Sequence, residues 1–162
     1  MDTQHFQLLI IGSGPGGYRA AVYAAQKGLQ VAVVEQAEAG GTCLNRGCIP
    51  TKTLCHEADR LSVIREALPE AKVDFDRVRS RLDSVTVQLR SGVEQLLSRP
   101  GITLLRGRAT FVSADTVEVD GCGRAAADNI IIATGSLPKL PPGLRLLRAD
   151  GTAADDGVAE GI

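Results

Sequence analysis

The sequence predicts an α/β fold: a central parallel sheet with helices on both sides and a small antiparallel β-meander. Three observations carry that expectation. An apolar run, Phe6–Ile11, passes through Gly12-Ser13-Gly14-Pro15-Gly16-Gly17 into an alanine-rich stretch, and a second apolar run, Gln30–Glu35, follows. Leucine and valine then recur at three- and four-residue spacing between Asp74 and Ser98. Beyond Pro100-Gly101, short β-rich segments alternate with turn residues as far as Ser136.

Phe6–Ile11 is unbroken by polar residues apart from Gln7, as expected of a parallel strand covered on both faces. Tyr18–Lys27 reads as a helix stopped by Gly28 in the position just past its end. Gln30–Glu35 is a second strand ending on an acid, which completes one βαβ unit. In the long helix from Asp74 to Ser98, Val78, Leu82, Val85, Leu89, Val93 and Leu96 form one apolar stripe, expected to be a core face. Ile102–Leu105 is a further strand, and Ala109–Val112 and Thr116–Val119 read as antiparallel strands. The turn Asp120-Gly121-Cys122-Gly123 leads into Arg124–Ala127, and Asn129–Ala133 is expected as a last buried strand closed by Thr134-Gly135-Ser136. Leu137–Pro142 is proline-rich and reads as a linker. From Asp150 on there are four acids and no base, a composition expected to be poorly ordered. These boundaries predict one domain over residues 1–142 and a tail over 143–162.

A chain of 162 residues has the length of one domain able to bury a real core. The net charge of -1 argues against a nucleic-acid or membrane surface. Phe6–Ile11 is too short to span a bilayer and lacks the basic flank of a signal peptide. The expected setting is therefore cytoplasmic, where four cysteines read as chemistry rather than as a disulfide scaffold. Cys55-His56 predicts no metal site, because neighbouring residues diverge on a helix and no further ligands cluster nearby. Cys55 is expected to be a buried helical cysteine, and Cys122 an exposed hairpin thiol without function.

The most informative segment is Gly40-Gly41-Thr42-Cys43-Leu44-Asn45-Arg46-Gly47-Cys48-Ile49-Pro50-Thr51-Lys52. On a regular helix five residues put two Cα atoms at least ~7.5 Å apart with side chains ~140° apart, beyond the roughly 4.4–6.8 Å that a disulfide needs. For Cys43 and Cys48 to bond, the segment between them must be tightened or irregular. Gly47 supplies backbone freedom. Pro50 either clashes with the Arg46 carbonyl, disrupting a helix, or opens a helix as its first residue. Both alternatives put Cys48 near a helix N-terminus, where the dipole favours thiolate over thiol. A strained, partly accessible disulfide there would be of the reducible, catalytic kind.

Gly12, Gly14 and Gly17 form a G-x-G-x-x-G fingerprint between a strand and a helix, the context that marks a Rossmann-like nucleotide site. Gly12 permits the tight turn, Gly14 lets backbone approach a pyrophosphate, and Gly17 lets the helix pack on the strand. Glu35, at the end of the second strand, can accept a bond from a ribose hydroxyl and disfavours a 2′-phosphate. The fingerprint alone does not separate FAD from NAD. The downstream thiol pair favours FAD, since a disulfide exchanging two electrons with a hydride carrier generally needs a flavin between them.

The segment from Gly41 to Lys52 closely resembles the redox motif of the flavin-dependent pyridine nucleotide–disulfide oxidoreductases. Its Leu-Asn-x-Gly-Cys-Ile-Pro pattern is most similar to the dihydrolipoamide dehydrogenase branch. Gly16-Gly17-Tyr18 and Ala133-Thr134-Gly135 match as well, so the resemblance covers roughly residues 5–142. It implies that Cys43 is the interchange thiol that meets the substrate and that Cys48 faces the flavin in a thiolate–flavin charge-transfer contact. Lys52 resembles the lysine beside the flavin ring. Gly41 and Thr42 resemble cofactor-binding residues, with Thr42 near the pyrophosphate. Gly107-Arg108-Ala109 resembles the segment whose backbone bonds adenine, and Ala133, Thr134 and Gly135 the strand end that closes over FAD. The implied reaction takes electrons from dihydrolipoamide through Cys43–Cys48 to FAD and on to NAD. Arg46 and Thr51 depart mildly from the usual valine and serine.

Family members continue further, with a second glycine fingerprint for NAD and a dimerisation domain that supplies a His–Glu pair and makes them homodimers. His5 and His56 are the only histidines here, and neither has a matching context. The resemblance therefore implies a truncated N-terminal part of such an enzyme. Two alternatives stand beside it: a flavin-binding remnant without turnover, and a thiol electron-transfer module that borrows its missing domains from another chain.

Overall fold

A computed structural model describes residues 3–136. The 137–142 linker and the 143–162 tail fall outside the described residues. In chain order the elements are β1 (Gln4–Ile11), α1 (Pro15–Gln26), β2 (Val31–Glu35), α2 (Gly41–Asn45), α3 (Cys48–Ala67), α4 (Phe75–Leu97), β3 (Ile102–Arg106), β4 (Ala109–Phe111), β5 (Thr116–Val119) and β6 (Gly123–Ile132). The strands form one sheet in the order β3-β2-β1-β6-β5-β4. The first four are mutually parallel, while β4–β5 and β5–β6 pair antiparallel.

That order imposes a closure. β3 and β4 are the outermost strands, yet only Gly107 and Arg108 join them. A flat sheet of this width would hold its edges roughly 24 Å apart at ~4.8 Å per strand, and three Cα–Cα steps reach only about 11 Å. The antiparallel strands therefore fold back over the parallel ones. Val117, Val119, Ala125 and Ala127 pack there against Phe6, Leu9, Ala32, Val34 and Leu105. Two backbone bonds fasten the closure: the Gly107 amide to the Glu35 carbonyl at 3.0 Å, and the Asp120 amide to the Arg108 carbonyl at 3.1 Å.

The opposite face of the sheet is covered by helices. Ala21 and Ala24 of α1, Leu44 of α2, and Val93 and Leu97 of α4 pack on Leu8, Ile10, Val31 and Val33. With one face under helices and the other under the meander, every residue of β2 is buried. Such double coverage is what an unbroken apolar strand anticipates.

Several elements differ from the sequence expectation for physical reasons. α1 starts at Pro15, ahead of its alanine-rich part, because proline's fixed φ suits the first helical position. β6 is one continuous strand where two segments were expected: Asp128 interrupts the apolar pattern, but pairing with β1 runs from Gln4↔Ala125 to Ile11↔Ile132. Its second half is not buried, with Ile131 39% and Ile132 66% exposed, because β5 pairs only with its first residues. The α4 stripe is likewise only partly a core face. Of the stripe only Val93 is buried; Thr86 and Leu97, outside it, are the helix's other buried residues, while Leu89 is exposed toward α3. Cys55 is exposed rather than buried, because α3 packs on α2 and α4 and none of its residues is buried. Cys122 is exposed in its hairpin, as expected. Among the described residues, no helix is long and apolar enough to cross a membrane.

The closure is testable at Gly107, where an added Cβ would overlap the Asp120 carbonyl and lie 3.1 Å from Val119 Cγ1. Gly107→Ala should cost about 1–3 kcal/mol, the usual range for overpacking a filled site. Urea unfolding checks it, and an unchanged midpoint would contradict this packing.

Candidate functional site

The C-terminal ends of β1 and β2 and the chain beyond β6 enclose a cleft of about 810 Å³. In open α/β sheets this end of the strands is where ligands bind. Its lining contains Gly12, Gly14, Gly16, Glu35, Gly41, Thr42, Cys43, Gly107, Ala109, Ala133, Thr134 and Gly135. The structure thus gathers into one cleft residues that the sequence spreads over more than a hundred positions. The glycine turn hangs between neighbouring strands, with the Gly12 amide on the Val34 carbonyl and the Ala133 amide on the Ile11 carbonyl, both at 2.8 Å. Gly17 is buried and does not line the cleft. Its missing Cβ leaves room for the Gly12 carbonyl, so α1 lies tight on the turn. No side chain caps α1 and no acid occupies its first turn. With no cap or acid of its own, the helix turns its positive dipole end toward the cleft, a setting that suits an anion.

Glu35 is only 9% exposed. One carboxylate oxygen accepts from the Ser13 amide at 2.9 Å and from the Ser13 hydroxyl at 2.6 Å, and the other accepts from the Ala37 amide at 2.9 Å. A carboxylate offers about four lone-pair sites, so three bonds to its own chain leave one for a hydroxyl in the cleft. Glu35 is thus a brace for the glycine turn as well as a candidate ribose acceptor.

The Cys43–Cys48 segment shows the irregularity that its spacing demands. It is two helices, α2 and α3, broken at Arg46-Gly47. The chain doubles back so closely that a Cβ on Gly47 would lie 3.1 Å from the Thr42 carbonyl oxygen and 3.5 Å from Cys43 Cα. Cys48 becomes the first residue of α3. Pro50 falls in that helix's first turn, where a backbone N–H has no intrahelical partner to lose. At the other end, Gly41 has φ +63 and would put a Cβ 2.7 Å from Gly14 Cα, so glycine at position 41 lets the thiol helix abut the glycine turn.

All four cysteines are thiols in this structure. Cys43 is half-buried and lines the cleft, whereas Cys48 is exposed and lies outside its lining. The neighbouring Cys48 side chain raises the Cys43 thiol above its ordinary value, and loss of hydration adds to this. The Cys48 backbone and, after it, the charge of Lys52 pull the other way. Lys52 does not line the cleft; it borders a separate hollow between α3 and α4 together with Ile49, His56 and Arg81.

Arg108 lines the cleft with its two neighbours, as the whole Gly107-Arg108-Ala109 segment was expected to. Sequence reasoning missed three groups. Ser13 is buried and holds Glu35, but its position in the fingerprint tolerates many residues. Asn45 and Arg90 form the remaining pair. The Asn45 amide nitrogen donates to the carbonyls of Ala39 and Gly41, each at 3.0 Å, and its oxygen accepts from Arg90 Nε at 2.9 Å. Arg90 also pairs with Glu38 at 3.2 Å.

The description "Pyridine nucleotide-disulphide oxidoreductase" belongs to a family model that matches residues 6–158. The chain belongs to that family. Among its relatives, dihydrolipoyl dehydrogenase of Chlamydia muridarum is 41% identical over 150 residues, covering 88% of this chain and 32% of the relative. Dihydrolipoyl dehydrogenase 3 of Haloarcula marismortui is 40% identical over 174 residues, covering 98% and 36%. Among solved structures of the family, the Cu(II) complex of the HOCl-induced flavoprotein disulfide reductase RclA from Escherichia coli superposes with a TM-score of 0.76 at 33% identity. That match covers 94% of this chain and 32% of the other. The chain therefore spans about a third of the length of these family members.

Two measurements probe the site without any ligand. Glu35→Gln replaces an acceptor-only group by one whose NH₂ must face a donor, so it should cost about 1.5–3 kcal/mol, as for hydrogen bonds to a charged group. An unchanged urea midpoint would contradict the brace. Because Cys48 raises the Cys43 thiol, thiolate at Cys43 appears only at higher pH, and removing that cause must move its titration downward. Cys43 alkylation followed against pH should show a lower midpoint in Cys48→Ala than in the parent chain. An equal or higher midpoint would contradict the assigned cause.

Proposed function

We propose that this chain is the flavin-binding, thiol-bearing unit of a dihydrolipoamide dehydrogenase-type oxidoreductase, with residues 1–142 forming that unit. The observation that carries the reading is the contact of Gly14 with Gly41, which joins a nucleotide cleft to a helix bearing one of two adjacent thiols. FAD fits what the cleft offers: an uncapped helix N-terminus for a diphosphate, a remaining Glu35 lone pair for a ribose hydroxyl, and a volume within the usual 300–1,000 Å³ range. Gly12, Gly14, Gly16, Gly41 and Thr42 would surround the diphosphate, Gly107 and Ala109 the adenine, and Ala133, Thr134 and Gly135 the far side. When bound, FAD supplies a two-electron acceptor, and NAD would take the electrons onward at a site outside this cleft.

The chain's own residues account for the thiol chemistry. In the oxidised pair, a dihydrolipoamide thiolate attacks Cys43 sulfur, breaking the Cys43–Cys48 bond and releasing Cys48 as thiolate. The second substrate thiolate then attacks its own sulfur in the mixed disulfide and releases Cys43. Lipoamide leaves oxidised and the pair is left reduced by two electrons. Lys52, whose charge reaches Cys43, favours thiolate at Cys43. The likeness to a flavoprotein disulfide reductase favours a second reading, with the same steps run in reverse onto a substrate disulfide. A cytoplasmic location and a homodimeric whole protein complete the proposal.

Visible absorption of the purified chain, before and after anaerobic dihydrolipoamide, tests this. The expected result is a yellow protein whose spectrum gains a long-wavelength band, lost in Cys48→Ser while FAD stays bound. A chain that remains colourless when supplied with FAD would contradict the proposal.

A further inference from the structure

Arg90 lies on α4, outside every motif of the sequence, yet its guanidinium reaches the thiol helix. Nε donates to Asn45 Oδ1 at 2.9 Å, and a second nitrogen pairs with Glu38 at 3.2 Å. Its side chain is 26% exposed, so these contacts are partly screened from water.

The helix that bears Cys43 needs external support. α2 has five residues and no side-chain cap, and a single turn is far below the length at which a helix holds itself. Leu44 anchors it in the core at one point, 8% exposed, and one anchor leaves rotation about itself. The Asn45 amide provides the second anchor by donating to the carbonyls of Ala39 and Gly41. That grip depends on which way the amide faces. A guanidinium carries donors and no acceptor, so only Oδ1 can face Arg90, which turns Nδ2 onto the two carbonyls. Arg90 itself is held by Val93, buried one turn further along α4.

We propose that Arg90 is a positioning residue for the thiol pair: by orienting the Asn45 amide it fixes α2, and Cys43 on it, at the spacing from Cys48 that disulfide exchange requires. The inference rests on the redox reading of Cys43 and Cys48. The strut raises the effective concentration of one thiol at the other, which is what sets the ease of forming an intramolecular disulfide. With glutathione disulfide as oxidant, Cys43 thiolate attacks one glutathione sulfur and expels the other glutathione as thiolate. Cys48 thiolate then attacks Cys43 sulfur in the mixed disulfide and expels the second glutathione. Two electrons pass from the pair to glutathione, and one protein disulfide forms.

The test is the equilibrium of the full chain in glutathione buffers, read as the fraction of Cys43–Cys48 disulfide by alkylation and mass spectrometry. Arg90→Met keeps the aliphatic stem, and Arg90→Lys keeps the charge toward Glu38 but loses the forked donor. Both should lower the oxidation constant roughly tenfold, or about 30 mV for a two-electron couple. A constant equal to the parent's in either folded variant overturns the proposal, even where its unfolding midpoint falls. If Arg90→Met does not fold, Arg90→Lys alone decides. A parent chain that forms no Cys43–Cys48 disulfide overturns the redox reading itself, and this proposal with it.

Discussion

The Glu35 carboxylate, buried at the C-terminal end of β2, accepts from both the amide and the hydroxyl of Ser13 on one oxygen and from the Ala37 amide on the other. Those three bonds decide where the two functional halves meet. Ser13 belongs to the glycine turn that opens α1, and Ala37 to the loop that leads into the thiol helix. A neutral side chain could not accept all three donors, and a buried charge without them would be costly. The same residue's backbone carbonyl receives the Gly107 amide, so the closure of the sheet ends at this point too. The cleft is therefore organised around one acid at a strand end.

The thiol segment illustrates how a local rule can be satisfied by breaking a helix. Five-residue spacing is incompatible with bonding on a regular helix, and the chain resolves this by ending α2 at Asn45 and starting α3 at Cys48. The turn between them brings Gly47 onto Cys43. Cys43 then faces the cleft with its thiol raised by the neighbouring Cys48 side chain, while Cys48 stands exposed at the head of a helix twenty residues long. The two sulfurs are thus unlike in exposure and in surroundings, which suits two thiols of different task.

Much of this was legible in the sequence because it rests on short-range patterns. The glycine fingerprint between two apolar strands fixed β1, α1 and β2, and the Asp74 to Ser98 periodicity located α4, whose Asp74 cap accepts the Arg77 amide. What could not be read depends on distant pairing. The short link between β3 and β4 becomes a constraint only once the strand order is known. The exposure of Ile131 and Ile132 follows from how little of β6 the meander covers, not from their apolar character. The Asn45–Arg90 bond joins residues 45 positions apart, and neither side chain carries a pattern that would pair them.

The chain reversal at Gly47 should place Cys43 and Cys48, and no other cysteines, within bonding reach. Mild oxidation of the native chain, followed by alkylation and tryptic mapping, tests it directly, since cleavage after Arg46 puts the two cysteines in separate peptides. The expected result is a crosslinked pair containing Cys43 and Cys48, with Cys55 and Cys122 recovered as alkylated thiols. Cys43 or Cys48 linked instead to Cys55, Cys122 or a second copy of the chain would contradict it.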